Sequence, residues 1–176
     1  MNHAIRTPRF LILTLLVLAA AATRALPLLL PHTWNFTAVG ALAIFAGAQF
    51  NDRRLAFIMP LAAMAISDLF IGNGFSLVVY GAFIAMVICG QLVRNKKTIA
   101  NLFLSSICGA IIFYLITNFA LFYPANMYPH NLSGIMASYV AGLPFINNML
   151  AGNLIYGTIL FGSLYLLEKR YPVLAR

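Results

Sequence analysis

Charged residues are scarce in this chain, and acidic residues are the scarcest. The 176 residues include 11 Lys or Arg but only 3 Asp or Glu, so that 8% of the chain is charged and 62% is hydrophobic. A soluble domain is about a quarter charged, because it needs a polar surface. The composition therefore excludes a soluble enzyme, a nucleic-acid-binding domain and a disordered chain, and it indicates an integral membrane protein.

Cysteine is nearly absent as well. Cys89 and Cys108 both lie in apolar stretches, without a CxxC pair or a nearby His. A zinc site needs clustered nitrogen and sulfur ligands, so we expect no metal site and no cofactor. The two thiols are expected to be small buried apolar groups.

Known catalytic motifs are missing too. The sequence contains no GxxxxGK[ST], no HExxH and no GxSxG, which are the phosphate-binding, zinc-protease and serine-hydrolase patterns. Two of the three acids lie beside basic residues at the ends of apolar runs, and neither His32 nor His130 has an acid beside it. We therefore expect the protein not to be an enzyme.

Long apolar runs predict an all-α polytopic membrane protein with six transmembrane helices. A spanning helix needs about 20 apolar residues, so that a chain of this length holds about six spans and no soluble domain. Residues 1–176 are thus predicted to form one integral membrane domain, with an outer loop and short helix at 123–146 that Pro144 ends. The predicted spans are 10–30, 36–50, 55–71, 75–93, 98–122 and 147–167.

The first run has an alternative interpretation as a cleaved signal peptide. Arg6 and Arg9 would form its basic region and Ala19–Ala22 would end its apolar core. Apolar character resumes at Ala25 and continues to Leu30. The pattern therefore favours a retained helix.

The basic residues predict the orientation. With a cytoplasmic N-terminus, six spans place all but one of the 11 basic residues on the cytoplasmic side. A seventh span within 132–146 would move Lys169 and Arg170 outside and break this pattern. The positive-inside rule therefore favours six helices with the N- and C-termini both cytoplasmic.

Arg24 is the exception, and Asp68 is the one acid inside a span. At the helical rise, Arg24 lies about 21 Å from Phe10 and Asp68 lies about 20 Å from Leu55, both measured from cytoplasmic boundaries. A lone intramembrane charge costs at least about 2.5–3.5 kcal/mol, so we expect the two side chains to pair or to share a wet cavity. Two roles stay open: a lock between helices, or part of a pocket.

Other polar side chains accumulate on the same outer side, whereas the inner halves of the spans are mostly aliphatic. Asparagine amides need hydrogen-bond partners and are unfavourable against lipid. The pattern predicts a polar, aromatic vestibule open to the outside, above an apolar floor. The candidate substrate-binding residues are Arg24, His32, Asn35, Asp68, Tyr80, Asn118, Tyr128, His130 and Asn153.

Several short motifs stand out over about residues 24–165, namely Pro31-His32-x-x-Asn35-Phe36-Thr37-x-x-Gly40-Ala41, Ser67-Asp68-Leu69, Thr117-Asn118-Phe119, Tyr128-Pro129-His130 and Leu143-Pro144-Phe145. Together they resemble a family of small bacterial inner-membrane proteins of unknown function. That family is in turn similar to the substrate-binding S components of energy-coupling-factor (ECF) transporters, in helix number, size and topology.

This resemblance implies a bundle like that of an ECF S component in a bacterial inner membrane. Such a subunit binds a vitamin or similar micronutrient from the outer face and lacks an ATPase of its own. It docks on an energising membrane module with ATPases through small residues of its first helix, and Ala21 and Ala25 match the Ala-x-x-x-Ala spacing.

Two alternatives remain. A non-transporting membrane scaffold or assembly factor would lack an enclosed outer cavity and would use its small-residue faces to hold a protein partner. A solitary cobalamin-type uptake protein would use a cysteine as a cobalt ligand, but Cys89 and Cys108 are both predicted to lie away from the vestibule.

Overall fold

The fold is a bundle of α-helices in a computed structural model that describes residues 7–25, 35–72 and 74–175. These ranges contain no strand, and they contain six α-helices. The helices are α1 Pro8–Ala22, α2 Val39–Gln49, α3 Arg53–Ile71, α4 Leu77–Leu92, α5 Ile99–Thr117 and α6 Leu132–Arg170. Short 3-10 turns lie at Thr23–Ala25, Ala120–Phe122 and Pro172–Leu174. The all-α prediction is confirmed for this part of the chain.

Polar side chains cap five of these helices. Each cap accepts a hydrogen bond from a backbone N–H two or three residues further on, which satisfies one free donor of the first turn. The caps are Thr7, Asp52, Ser76, Thr98 and Asn131. These residues explain why the apolar runs become helical where they do.

The short helix α2 forms the centre of the bundle. All 11 of its residues are buried, and it contacts each of the other five α-helices. Its contact with α4 is close, because a Cβ atom on Gly47 would lie 2.1 Å from the Val87 carbonyl oxygen and one on Gly90 would lie 2.1 Å from that of Ile44. Small residues therefore allow the close approach of these two helices.

The outer helices present apolar side chains to the surroundings. Four described segments are long and apolar enough to cross a membrane, namely Pro8–Ala25, Arg53–Ile71, Ile99–Thr117 and Leu132–Arg170. Helices α2 and α4 are apolar but shorter. Large side chains such as Leu69, Phe70 and Leu77 are mostly exposed, and so large an apolar surface needs lipid to cover it. The fold thus has the character of a membrane protein.

Helix α6 differs from the prediction. The sequence predicted a short helix ended by Pro144 and a separate span at 147–167, but α6 is one helix of 39 residues with Pro144 inside it. Proline removes one backbone donor and usually stops a helix. Here α5 holds α6 just before the proline, since the Tyr139 hydroxyl donates to the Leu115 carbonyl oxygen and Asn118 packs against Gly142. Tertiary packing therefore overrides the local signal.

The bundle has two chemically different ends. The Arg9 end holds the start of α1, the α2–α3 and α4–α5 connections and the end of α6. The Arg24 end holds the other helix termini. Of the described basic residues, only Arg24 lies at the Arg24 end. Residues 26–30, which complete the first predicted span, lie outside the described ranges.

Candidate functional site

Arg24 and Asp68 form an ion pair at the Arg24 end, as predicted from their similar depth. Arg24 lies in the 3-10 turn after α1, and Asp68 lies in the last turn of α3. The Arg24 Nη2 and Asp68 Oδ1 atoms are 2.6 Å apart, and the two side chains are 14% and 9% exposed. The pair is therefore largely shielded from solvent. Coulomb attraction is stronger in such a site than it is in water.

Three further groups satisfy the hydrogen-bonding capacity of the pair. The second guanidinium nitrogen of Arg24, Nη1, donates to the Ser67 hydroxyl at 2.8 Å and to the Met64 carbonyl oxygen at 3.1 Å. The Tyr80 hydroxyl donates to Asp68 Oδ2 at 2.8 Å. Each carboxylate oxygen thus has its own donor, which is the arrangement that makes a buried ion pair tolerable. We call Arg24, Ser67, Asp68 and Tyr80 the Arg24 cluster.

A cavity of about 220 Å³ borders this cluster. It is lined by Arg24, Asp68, Gly74, Ser76, Val79 and Tyr80. Ser76 caps α4 and Phe75 packs its ring on Tyr80, with centroids 4.6 Å apart. The cavity wall thus offers a cation, an anion and two hydroxyl groups within one small volume, and it could bind a small polar molecule.

Asn118 and Asn35 were predicted to bind substrate, but neither belongs to the Arg24 cluster. Asn118 ends α5, and its side-chain amide donates back to the Tyr114 carbonyl oxygen at 3.0 Å. Asn35 is exposed and has a φ of 63°, in the left-handed region that asparagine tolerates better than most residues. Neither residue lines the cavity at Arg24.

Tyr128 and His130 lie together in the loop before α6, away from that cavity. His130 Nε2 donates to the Tyr123 carbonyl oxygen at 2.8 Å, so that this nitrogen carries the proton. The rings of Tyr123 and Tyr128 are 5.7 Å apart, and the Tyr123 hydroxyl donates to the Thr117 carbonyl oxygen. Burial, followed by the neighbouring Tyr128, raises the pKa of Tyr123, which keeps this hydroxyl protonated. These contacts fasten the loop to α5.

Asn153 lies in the interior of the bundle, not in an outer vestibule. It is buried between three helices, where its Nδ2 donates to the Ser106 carbonyl oxygen at 3.3 Å. Its Oδ1 atom faces Gly40, and a Cβ atom on Gly40 would lie only 2.1 Å from that oxygen. Asn153 also lines a second and larger cavity, of about 650 Å³, between α5 and α6. Asn153 and the Arg24 cluster therefore line two separate cavities.

The two predicted docking residues do not join the cluster. Ala21 is buried in the core of the bundle and Ala25 is half-buried, so that Ala21 packs inside the chain and is not free to dock a partner. His32 lies outside the described residues. Cys89 is buried as expected, whereas Cys108 is exposed on α5, and neither thiol lines the cavity at Arg24.

The sequence did not single out Ser67 and Ser76 as site residues. Ser67 precedes the one intramembrane acid and Ser76 comes directly before an apolar helix, so that both positions carried a usable signal. Within residues 7–25, 35–72 and 74–175, no three His, Cys, Asp or Glu side chains lie close enough together to hold a metal ion.

Comparison with known proteins gives one match. Residues 5–174 match a family described as "Family of unknown function (DUF6580)". No curated protein and no solved structure matches the chain.

Proposed function

The chain belongs to this family of unknown function, and we propose that it is a membrane transport protein that captures a small solute at the Arg24 cluster. The observation that carries the proposal is the cavity of about 220 Å³ directly beside a buried ion pair. Intramembrane charges are costly and usually serve a binding or transport function. In this proposal the protein works like an ECF S component, and its solute is a vitamin or a similar micronutrient.

The groups on the cavity wall define the class of solute. Arg24 can bind an anionic or carbonyl oxygen, whereas Asp68 can accept a hydrogen bond from an N–H or O–H group. The Ser76 and Tyr80 hydroxyl groups also line the wall. The volume is below the range of about 300–1,000 Å³ that is usual for ligand sites, which favours a small polar compound with both donors and acceptors.

The distribution of charge supports a six-span topology with the cavity on the outer face. Arg53, Arg54, Lys96, Lys97 and Lys169 all lie at the Arg9 end. Under the positive-inside rule this end is cytoplasmic in a bacterial inner membrane. The Arg24 cavity then opens towards the outside, where a solute would be captured.

The contact with an energising module remains part of the proposal, but it needs a surface other than the one predicted. Ala21 is buried by the neighbouring helices. The exposed side of α1 carries Leu11, Leu15 and Leu18 instead. A module with ATPases would therefore meet a leucine face, not an Ala-x-x-x-Ala stripe.

The two alternatives have less support. The scaffold hypothesis predicted no enclosed cavity at the outer end, and it predicted small-residue faces free to hold a partner. The cobalamin-type hypothesis needs a thiol at the site, and neither Cys89 nor Cys108 lines the cavity.

A pair of tyrosine variants tests the proposal. The purified protein is screened by thermal unfolding against a panel of water-soluble vitamins, and co-purified small molecules are released and identified by mass spectrometry. Tyr80→Phe removes the hydroxyl donor to Asp68, and we expect about tenfold weaker solute binding, which is the usual effect of one hydrogen bond to a charged group.

Tyr139→Phe is the matched control, because it removes a tyrosine hydroxyl that donates to the α5 backbone and does not line the cavity. It should bind the solute as the wild type does. Equal affinity of the two variants, or a wild-type protein that binds no compound in either assay, would contradict the proposed site.

A further inference from the structure

The larger cavity is a groove between α5 and α6 that the solute proposal does not use. Its volume of about 650 Å³ falls within the usual range of ligand sites, about 300–1,000 Å³. It extends along α6 from Asn153 to Glu168, a length of about 22 Å at the helical rise. The groove therefore begins near the middle of the bundle and opens at the Arg9 end.

The inner part of the groove is apolar in character. Leu102, Phe103, Leu154, Phe161 and Leu164 line it. Two of its hydroxyl groups are already bonded to their own helices, since Ser106 donates to the Leu102 carbonyl oxygen at 2.9 Å and Thr158 to that of Leu154 at 2.8 Å. A hydrocarbon chain can fill such a space without leaving a protein hydroxyl unsatisfied.

The mouth of the groove is charged. Gln49, Lys97 and Glu168 line it, and the Lys97 ammonium donates to the Gln49 side-chain oxygen at 3.1 Å. Glu168 is paired with Arg9, which neutralises the one acid of the mouth. Further basic residues surround it at the Arg9 end, including Arg94, Lys96, Lys169 and Arg170. The mouth therefore carries an excess of positive charge.

We propose that this groove binds one acyl chain of an anionic phospholipid, with the headgroup at Lys97. The apolar lining from Leu154 to Leu164 is about 15 Å long, which equals one leaflet of a hydrocarbon core of about 30 Å. A basic mouth at the depth of the headgroups matches a negative headgroup. The proposal rests on the membrane placement given above but not on solute capture at Arg24.

Two glycine variants test whether the groove holds the lipid. Gly162 lines the groove and Gly81 lies exposed on α4 outside it, and a Cβ atom at either position would meet no atom within 4 Å. Gly162→Leu therefore places an apolar side chain in the groove from a Cβ position that is free of clashes, and Gly81→Leu is its matched control. Both changes favour the helix.

Binding is measured by native mass spectrometry on delipidated protein in mild detergent, titrated with palmitoyl-oleoyl phosphatidylglycerol or phosphatidylcholine. The wild type should bind the first phosphatidylglycerol about fivefold more tightly than phosphatidylcholine, the effect of about 1 kcal/mol from one lysine. Gly162→Leu should lower the affinity for the first bound lipid about tenfold, whereas Gly81→Leu should leave this affinity unchanged.

A lysine pair tests the headgroup separately. Lys97→Gln should remove most of the preference for phosphatidylglycerol, because Lys97 is the basic residue that lines the groove, whereas Lys96→Gln should retain most of it. Equal lipid binding by Gly162→Leu and Gly81→Leu would overturn the proposal. So would equal wild-type affinity for both lipids, or a wild-type dimer that only Gly162→Leu dissociates, since the groove would then hold a second copy of the chain.

Discussion

Each end of the bundle has one arginine from α1 or its 3-10 extension paired with one acid, but the two pairs connect different parts of the chain. Arg24 contacts Asp68, Ser67 and the Met64 carbonyl oxygen, all on the adjacent α3. Arg9 contacts Glu168 on α6, the Leu174 carbonyl oxygen and the Gln49 side chain at the end of α2. The Arg24 pair joins α1's extension to the adjacent α3, whereas the Arg9 pair joins the first helix to the end of α6 and the segment after it.

The two pairs also differ in how exposed their acids are and in what surrounds them. Asp68 is 9% exposed and borders the cavity at Arg24, while Glu168 is 28% exposed and lies at the mouth of the groove between α5 and α6. Gln49 is buried and accepts from both Arg9 and Lys97, so that one amide connects α1, α2 and the start of α5. The Arg9 pair therefore belongs to a network that holds distant segments together, whereas the Arg24 pair contacts neighbouring helices and its acid is the less exposed of the two.

The largest effect is expected for Asp68→Asn. This variant leaves the Arg24 guanidinium buried without its counter-charge, and removal of one partner from a buried pair lowers stability by about 3–5 kcal/mol. Unfolding of the detergent-solubilised protein in mixed SDS micelles, followed by circular dichroism, measures this change.

The double variant Arg24→Met, Asp68→Leu separates stability from function. It removes both charges, so that stability should return close to that of the wild type, while solute binding should stay lost. A double variant that is stable and still binds solute would show that the Arg24 pair is only a lock between helices.

A smaller loss is expected for Glu168→Gln at the other end. The Arg9 guanidinium keeps the Gln49 and Leu174 oxygens as partners, and Glu168 is partly exposed, so that we expect a loss of about 1–2 kcal/mol. The same SDS titration measures it. Solute binding should be unchanged, and a loss of binding as large as that of Asp68→Asn would remove the functional distinction between the two pairs.

Ionic strength should give the smallest effect and still distinguish the pairs. Salt screens exposed charges well and buried charges poorly. A double-mutant cycle on Arg9 and Glu168 should lose a few tenths of a kcal/mol between about 0.1 M and 1 M salt. The cycle on Arg24 and Asp68 should change less, and a larger loss there would mean that the Arg24 cluster is open to water.

Much of the fold and the pairing of Arg24 with Asp68 could be predicted from the sequence, because bilayer chemistry restricts both. Arg24 and Asp68 lie at similar depths on helices that begin at the same end, and charges in an apolar medium must find each other. The helix positions likewise follow from the length of the apolar runs. These are properties of single segments, and they can be read one segment at a time.

The features that were not predicted depend on contacts between segments. Pro144 is a local stop signal, but the packing of α5 against α6 carries the helix through it. Asn118 and Asn153 have the composition of a binding site, yet their amides bond to carbonyl groups of the neighbouring backbone. Gln49 carried no signal beyond its place at the end of an apolar helix, and its role is set by Arg9 and Lys97.

The complete burial of α2 has a consequence for the biogenesis of the protein. Eleven residues rise about 16 Å, roughly half of a hydrocarbon core, so that α2 is too short to be inserted as a span by itself. Its entry segment also meets the last helix, where a Cβ atom on Gly152 would lie 3.0 Å from the Thr37 carbonyl oxygen. Helix α2 therefore becomes fully buried only after α6 has packed against it, and the centre of the molecule closes with that contact.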